Sequence, residues 1–309
     1  MNKNYLVILF LTLALFIYGC KTPTEKSEGP FKGGNVGVDV SFVEGSPPSS
    51  FNQDQTVPVK VAVKNNGEND LGTGVVKAKI FGIITENFGL TSGYKAADGP
   101  LRGISEFIEE GAEREINLGN MNYNLDVVNF KTFNLRSQVC YPYQTKSHIT
   151  TCVSSTQIKE TGKEICSTEG EKITKGSVSS GPIQITSLKE ETRGADQIVY
   201  NIEIENKGNG NVYEIATTCE QLEDSVQRGT AQGVIQIEVV PANIRCGFLE
   251  GEGNKGEIKL TAGKKTLSCW QTVTDTTGSA EQDVSITLDY RYISDTSKEI
   301  KIFETVGTG

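Results

Sequence analysis

The sequence predicts an all-β chain built as two tandem antiparallel β-sandwiches, each carrying one short helical insertion. Three observations lead there. First, Val59–Leu71 (VKVAVKNNGENDL) recurs as Tyr200–Val212 (YNIEIENKGNGNV), an offset of 141 positions. In both, apolar residues alternate (Val59, Val61, Val63; Tyr200, Ile202, Ile204), which places one face of a strand on a core. Asn-x-Gly follows in each, at Asn65–Gly67 and Asn206–Gly208, residues that tolerate positive φ and mark a tight turn. Second, Val139–Val153 aligns without a gap on Leu288–Ile302 at an offset of 149, with Tyr141 and Tyr143 on Tyr290 and Tyr292. Third, the chain holds 33 Gly and only 2 Met in 309 residues, a balance that suits strands and turns.

The length accommodates two domains with separate cores. Lys and Arg number 30 against 39 Asp and Glu, a net charge of −9. With no basic stripe, nucleic acid is not the expected partner, because phosphate binding needs clustered Lys and Arg.

Residues 1–20 read as a targeting segment: Lys3, an uncharged apolar run from Tyr5 to Tyr18, then Gly19-Cys20. The run is short of the roughly 20 residues a membrane span requires. Residues 21–35, rich in Lys, Glu, Pro and Gly, read as a flexible tether. The first sandwich is expected over 36–155, with strands at Val36–Phe42, Thr56–Asn65, Gly74–Gly82 and Arg114–Leu118. A helix is expected between Asp98 and Gly111, where Leu101, Ile104, Phe107 and Ile108 share a face. Asn129–Val139 and Thr145–Val153 read as two arms of a hairpin around Tyr141-Pro142-Tyr143.

A linker partly tied by Cys166 is expected over 156–181, and the second sandwich over 182–305. Its strands are expected at Ile183–Lys189, Ile198–Asn206, Asn211–Ala216, Gly233–Val240, Gly256–Leu260 and Lys265–Val273. A helix over Thr217–Arg228 has Thr217 and Glu220 spaced as a capping box and Gly229 as its stop. Val284–Phe303 reads as the closing hairpin.

Beyond Cys20, six cysteines remain: Cys140, Cys152, Cys166, Cys219, Cys246 and Cys269. An even number in an exported chain reads as up to three disulfides. Cys140 and Cys152 align with Asp289 and Lys301, a joint change from thiols to opposite charges that suggests cross-strand neighbours and a bond worth about 2–3 kcal/mol. For the other four, Cys246–Cys269 and Cys166–Cys219 are the favoured pairings, with the alternatives open. Trp270 is expected to pack over a disulfide.

Catalytic signals are weak, and no enzyme is expected. His148 is the one histidine and reads as hairpin surface. Gly251, Gly253 and Gly256 match G-x-G-x-x-G without the strand and helix that a dinucleotide site needs. Glu106, Glu109 and Glu110 read as the wet face of a helix. Glu68, Asn69, Asp70 and Asp275 offer oxygen ligands in no recognised calcium spacing, so no metal and no cofactor is expected. Tyr141, Tyr143, Tyr290 and Tyr292 are candidate partner contacts, Tyr being enriched at interfaces.

The ending Ile17-Tyr18-Gly19-Cys20 resembles the lipobox of prokaryotic lipoproteins, which implies acylation of Cys20 and anchoring on the outer face of the cytoplasmic membrane. VPVKVAVKNNGEND (Val57–Asp70) and IVYNIEIENKGNGN resemble the strand and turn of CARDB-like immunoglobulin-like domains, found in surface proteins of archaea and bacteria. That resemblance implies a cell-surface module for adhesion or protein–protein interaction, its partner another protein or itself. A self-assembling layer or filament subunit is the second expectation, and an exported hydrolase or solute-binding component the third.

Overall fold

The computed structural model describes residues 29–154, 165–247, 253–274 and 278–305. The targeting segment, residues 21–28 of the tether, Gly251 and Asp275 lie outside them. The chain is mostly strand, in several antiparallel sheets, as the alternation predicts.

The described residues form three sheets. One is β1 (Val38–Phe42), β3 (Val57–Asn65) and β6 (Glu113–Met121), in that order. Its counterpart is β8 (Ile183–Arg193), β9 (Gln197–Asn206) and β14 (Lys264–Thr272), extended by β12 (Arg245–Cys246). The two sheets share register at the start of the ladder, Val38 facing Asn65 as Ile183 faces Asn206, and diverge where β8 bulges between Ile185 and Ser187.

Between them runs a shared sheet centred on β7 (Phe130–Val153) and β15 (Ala280–Phe303), each 24 residues long. At about 3.3 Å per residue each strand spans about 80 Å. They pair with each other, antiparallel and without a break, from Phe130 opposite Phe303 to Val153 opposite Ala280. Pro142 faces Arg291. Those two are equivalent positions in the internal repeat (291 − 142 = 149), so an internal two-fold axis passes through the pair. β4 (Lys77–Phe81) pairs with β7 at 136–140, and β11 (Val234–Val240) pairs with the equivalent part of β15 at 285–289. β5 (Lys95–Ala96) and β13 (Lys255–Lys259) extend the two sides. β2 (Ser50–Asn52) and β10 (Asn211–Tyr213) add to β15.

This arrangement corrects both hairpin expectations. Pro142 is not a turn, because even-numbered residues of β7 aim their backbone away from β15. Its missing N–H falls at the gap between the stretch paired with β4 and the next edge partner, a place where proline is tolerated within a strand. Each long strand serves both repeats, and a single apolar cluster runs from Val38 to Ile302. The two sandwiches expected as separate bodies are therefore joined through a common sheet. The linker reading is corrected in part: from residue 165 the chain docks along β7, with Ser147 bridging Val178. The tether reading is corrected for residues 29–34, which hydrogen-bond to Lys175, Gly176 and Glu68.

The helix expected over 98–111 does not form. Leu101 bridges Leu71 as extended chain, and Phe107 is 91% exposed. In the second repeat, α1 spans Ser225–Ala231 after a 3-10 turn at Gln221–Glu223. Asp224 caps α1 by accepting from Val226 N and Gln227 N, so Gly229 lies inside the helix. The reciprocal cap falls one residue later than expected: Gln221 N donates to Thr218 Oγ1 and Thr218 N to Gln221 Oε1.

All six cysteines are paired, as Cys140–Cys219, Cys152–Cys166 and Cys246–Cys269. The last is the expected pairing, across the β12–β14 ladder. Cys140–Cys152 and Cys166–Cys219 are overturned. Twelve residues along one strand separate Cys140 from Cys152 by about 40 Å, against the roughly 4.4–6.8 Å that a disulfide spans. Cys140–Cys219 instead ties the second repeat's insertion to β7. There Lys77 pairs with Glu220 (2.7 Å) and Lys79 with Glu223 (2.8 Å) over a small cluster of Tyr213, Leu222, Ala231 and Ile293. Trp270 points outward and is 36% exposed, because Cys269 takes the inward position.

Candidate functional site

The axis is built from four tyrosines. Tyr141 and Tyr143 lie opposite Tyr292 and Tyr290, and all four are at most 2% exposed. Their use as surface partner contacts is therefore overturned. Neighbouring rings stand 5.9–6.4 Å apart, within the range of favourable aromatic pairs. Their hydroxyls bond in two-fold fashion. Val38 N donates to Tyr141 and Ile183 N to Tyr290; Asn69 N donates to Tyr143 and Gly210 N to Tyr292. Burial pushes all four phenols above their ordinary pKa, Tyr141, Tyr143 and Tyr290 well above it, so they stay protonated and can donate.

The Asn-x-Gly turns close over these rings. Asn65 Nδ2 donates to Asn69 O (2.8 Å) and Asn206 Nδ2 to Gly210 O (2.9 Å), while Gly67 N and Gly208 N donate to their Asn Oδ1 atoms. Neither Gly67 nor Gly208 has positive φ. The glycines are needed for close approach: a Cβ at Gly67 would meet the Tyr143 hydroxyl, and one at Gly208 the Tyr292 hydroxyl.

Glu68 extends one turn into a clasp. Its carboxylate accepts from Lys32 N (2.8 Å), Gly33 N (3.0 Å) and Ser180 N (2.7 Å), fixing residues 29–34 against the 174–181 strap. These N–H donors take up the oxygens considered for calcium, and Asp70 Oδ1 accepts from Gly103 N. Among the described residues no cluster of His, Cys, Asp and Glu is arranged to hold a metal ion.

Beside the clasp lies an open groove of about 1090 Å³. Lys146, His148 and Thr150 of β7 with Ser285 and Thr287 of β15 form its floor, and Pro30–Phe31 and Ser167–Thr174 form its walls. His148 is half-exposed, its Nε2 3.7 Å from Asp283 Oδ1. Lys172 reaches the fully buried Glu190 (3.1 Å), whose other oxygen accepts from Cys152 N (2.8 Å). Burial raises the Glu190 pKa against the pull of that N–H and of Lys172. Glu171 accepts from Leu188 N, Lys172 N, Ile173 N and Ser187 Oγ, and these bonds hold its pKa down despite partial desolvation. The groove thus presents mixed charge and hydroxyls.

A second cavity, about 340 Å³, lies across the axis between Asn35–Val40, Lys207–Asn209 and Ser294–Asp295. At the equivalent position Thr145 Oγ1 donates to Ile183 O (2.8 Å) and contacts the Tyr290 hydroxyl (2.8 Å). Ser294 Oγ is buried with no hydrogen-bond partner among the described residues.

Of the residues singled out from sequence, the six cysteines pair and the four tyrosines converge at the axis. Glu106, Glu109 and Glu110 are exposed on a loop, where Glu106 lines a small cavity with Phe31, Glu68 and Lys146, and Glu110 lies 3.7 Å from Lys64. Gly253 precedes β13 and Gly256 lies within it, paired with Ile237. Sequence reasoning missed the Glu68 clasp, whose partners Lys32, Gly33 and Ser180 are distant in the chain, and the Glu171–Lys172–Glu190 group, which forms only where residues 171–172 meet β8. No protein-family model matches the chain, and no curated protein is similar to it in sequence. A cryo-EM reconstruction of native E. coli alpha-2-macroglobulin is similar over 87% of this chain and 23% of that one, at 9% identity and a TM-score of 0.15. The chain thus spans under a quarter of that protein's length. No helix among the described residues is long and apolar enough to cross a membrane.

Proposed function

We propose that the chain is a non-catalytic, extracytoplasmic display protein, held at the membrane through Cys20, whose fused repeats present grooves to a protein partner. Each repeat is read as an immunoglobulin-like sandwich of the CARDB-like kind, of the sort borne by surface lipoproteins of archaea and bacteria. The observation that carries the reading is the unbroken β7–β15 pairing, cross-locked by Cys140–Cys219. It makes one rigid strut of two repeats, and three disulfides suit an oxidising compartment. The polar groups inside are used to hold shape: the tyrosine hydroxyls, Glu68 and Glu190 all bond to backbone N–H groups.

The test uses intact cells carrying the full chain or a Cys20→Ala variant. The reading expects the full chain to fractionate with membranes, to be labelled by a membrane-impermeant amine reagent, and to cross-link through Lys146 to one defined protein. Release of the variant from the membrane completes the expectation. A protected intracellular chain, or one that is never cross-linked, would overturn it.

A further inference from the structure

One break in the internal two-fold lies on the outer edges of the two long strands. On the β7 side, the edge facing away from β15 is occupied by the strap: His148 N donates to Ser177 O and Ser179 N to Lys146 O. Displaced by the repeat offset of 149, the matching edge atoms on β15 belong to Asp295 and Ser297, with Glu299 next in phase. Lys301 N and Phe303 O, further along in the same phase, do bond on that edge, to Ser49 and Gln53. From Ser294 to Ile300 no described residue pairs there, whereas β10 takes the edge up to Ile293 and β2 takes it from Lys301. The result is a recess in the middle of the longest strand, about 20 Å long at 3.3 Å per residue.

The segment that the repeat would put there is diverted. Counting back from the equivalent residues Val38 and Ile183, the counterparts of Ser177–Ser179 are Lys32, Gly33 and Gly34. Gly33 (φ 74°) and Gly34 (φ 131°) take left-handed conformations that their counterparts Val178 and Ser179 do not, and the chain turns away to the Glu68 clasp. What remains is an unpaired stretch of strand edge beside the cavity into which the unbonded Ser294 hydroxyl is set; within it the Lys298 side chain reaches Pro47 O (2.7 Å).

We infer that this recess accepts an extended segment of a partner polypeptide, added antiparallel to β15. It would bond to the N–H and C=O groups of Asp295, Ser297 and Glu299 and place small polar side chains toward Ser294. Main-chain bonds give such strand addition its affinity. Two features favour a single peptide strand over a second copy of the fold. The edge is recessed between β10 and β2, so two such edges cannot meet. The occupant of the equivalent edge is itself an extended run of small residues, Ser177-Val178-Ser179. This deepens the display reading and rests on it for the partner's being a protein.

The experiment uses the full chain in detergent and, as probe, a synthetic peptide of the sequence Thr174–Gly181. Hydrogen exchange is followed residue by residue at 294–300, with and without peptide. The inference expects the amides of Asp295, Ser297 and Glu299 to exchange quickly in the free protein and to slow by roughly tenfold or more with peptide, since each added bond is worth about that factor. Ser297→Pro removes one edge donor whose N–H points away from β7, as Pro142 already does on the other strand, and should abolish peptide binding while leaving the melting point near wild type. Protection of the three amides in the free monomer would mean that the chain fills its own edge, and protection that appears only with doubling of mass would mean a second copy. Either result overturns the inference, as does peptide binding that Ser297→Pro leaves intact. If that variant does not fold, exchange in the wild-type protein decides alone. Fast free amides that no peptide slows would refute strand addition while leaving the cell-surface reading to its own test.

Discussion

Removing single hydroxyls from the tyrosine quartet should have unequal effects although the four positions are related by symmetry. In Tyr292→Phe, Gly210 N loses an acceptor at 2.7 Å and Asn206 Oδ1 loses a donor at 3.1 Å. Both bonds have good lengths, and the ring is 2% exposed, so water cannot readily replace them. At about 1 kcal/mol per net bond, the change should cost about 2 kcal/mol. In Tyr143→Phe the partners lost are Asn69 N at 3.4 Å and Ser180 O at 3.3 Å, at the long edge of hydrogen bonding. That cost should be about 0.5–1 kcal/mol. Equilibrium denaturation of the oxidised protein measures both. At about 3 °C per kcal/mol, melting should fall by about 6 °C and about 1.5–3 °C respectively. A Tyr143→Phe loss equal to or larger than that of Tyr292→Phe would refute the geometry assigned to the turns.

Other consequences follow from the same groups. Asn65→Ala breaks bonds to Asn69 O, Leu101 O and Gly67 N at a fully buried site and should cost about 3 kcal/mol in denaturant titrations. Lys172→Met strands the Glu190 carboxylate and should cost about 3–5 kcal/mol at neutral pH. Because burial raises the Glu190 pKa in the fold above its unfolded value, the stability tied to its protonated form is fully present below the unfolded pKa and is lost as pH rises through the folded one. The deficit of Lys172→Met should therefore shrink on acidification, and a deficit independent of pH from 4 to 8 would contradict the pairing. Replacing Cys140 and Cys219 by Ser, bridged across 79 positions, should cost about 4–5 kcal/mol by chain entropy, against about 3 kcal/mol for the 14-position Cys152–Cys166 bridge.

Much of the strand content was legible because alternation is local. Val59, Val61 and Val63 point inward as Tyr200, Ile202 and Ile204 do, and the Asn-x-Gly turns recur. The reason for the glycines was not legible, since it depends on tyrosine rings more than seventy residues away. The two long strands were misread because their partner is each other, about 150 residues apart, and because Pro142 looks like a turn when its neighbours across the sheet are unknown. The helix at 98–111 failed because Leu101 finds a bridge to Leu71, a contact that outweighs helical spacing in a segment with Gly103 and an exposed Phe107. The joint change of Cys140 and Cys152 to Asp289 and Lys301 does not mark a contact, because the two cysteines lie twelve residues apart along the same strand. Of the grooves, nothing was visible beforehand, since their walls come from segments read as linker and tether.

The interlocked architecture is tested most directly by non-reducing proteolysis and mass spectrometry of the purified full chain. The account predicts a peptide pair joining Cys140 to Cys219, which lie in different repeats, with Cys152–Cys166 and Cys246–Cys269 as the other two. A bond between Cys140 and Cys152 would require β7 to fold back as a hairpin, and would contradict the shared sheet on which the rest depends.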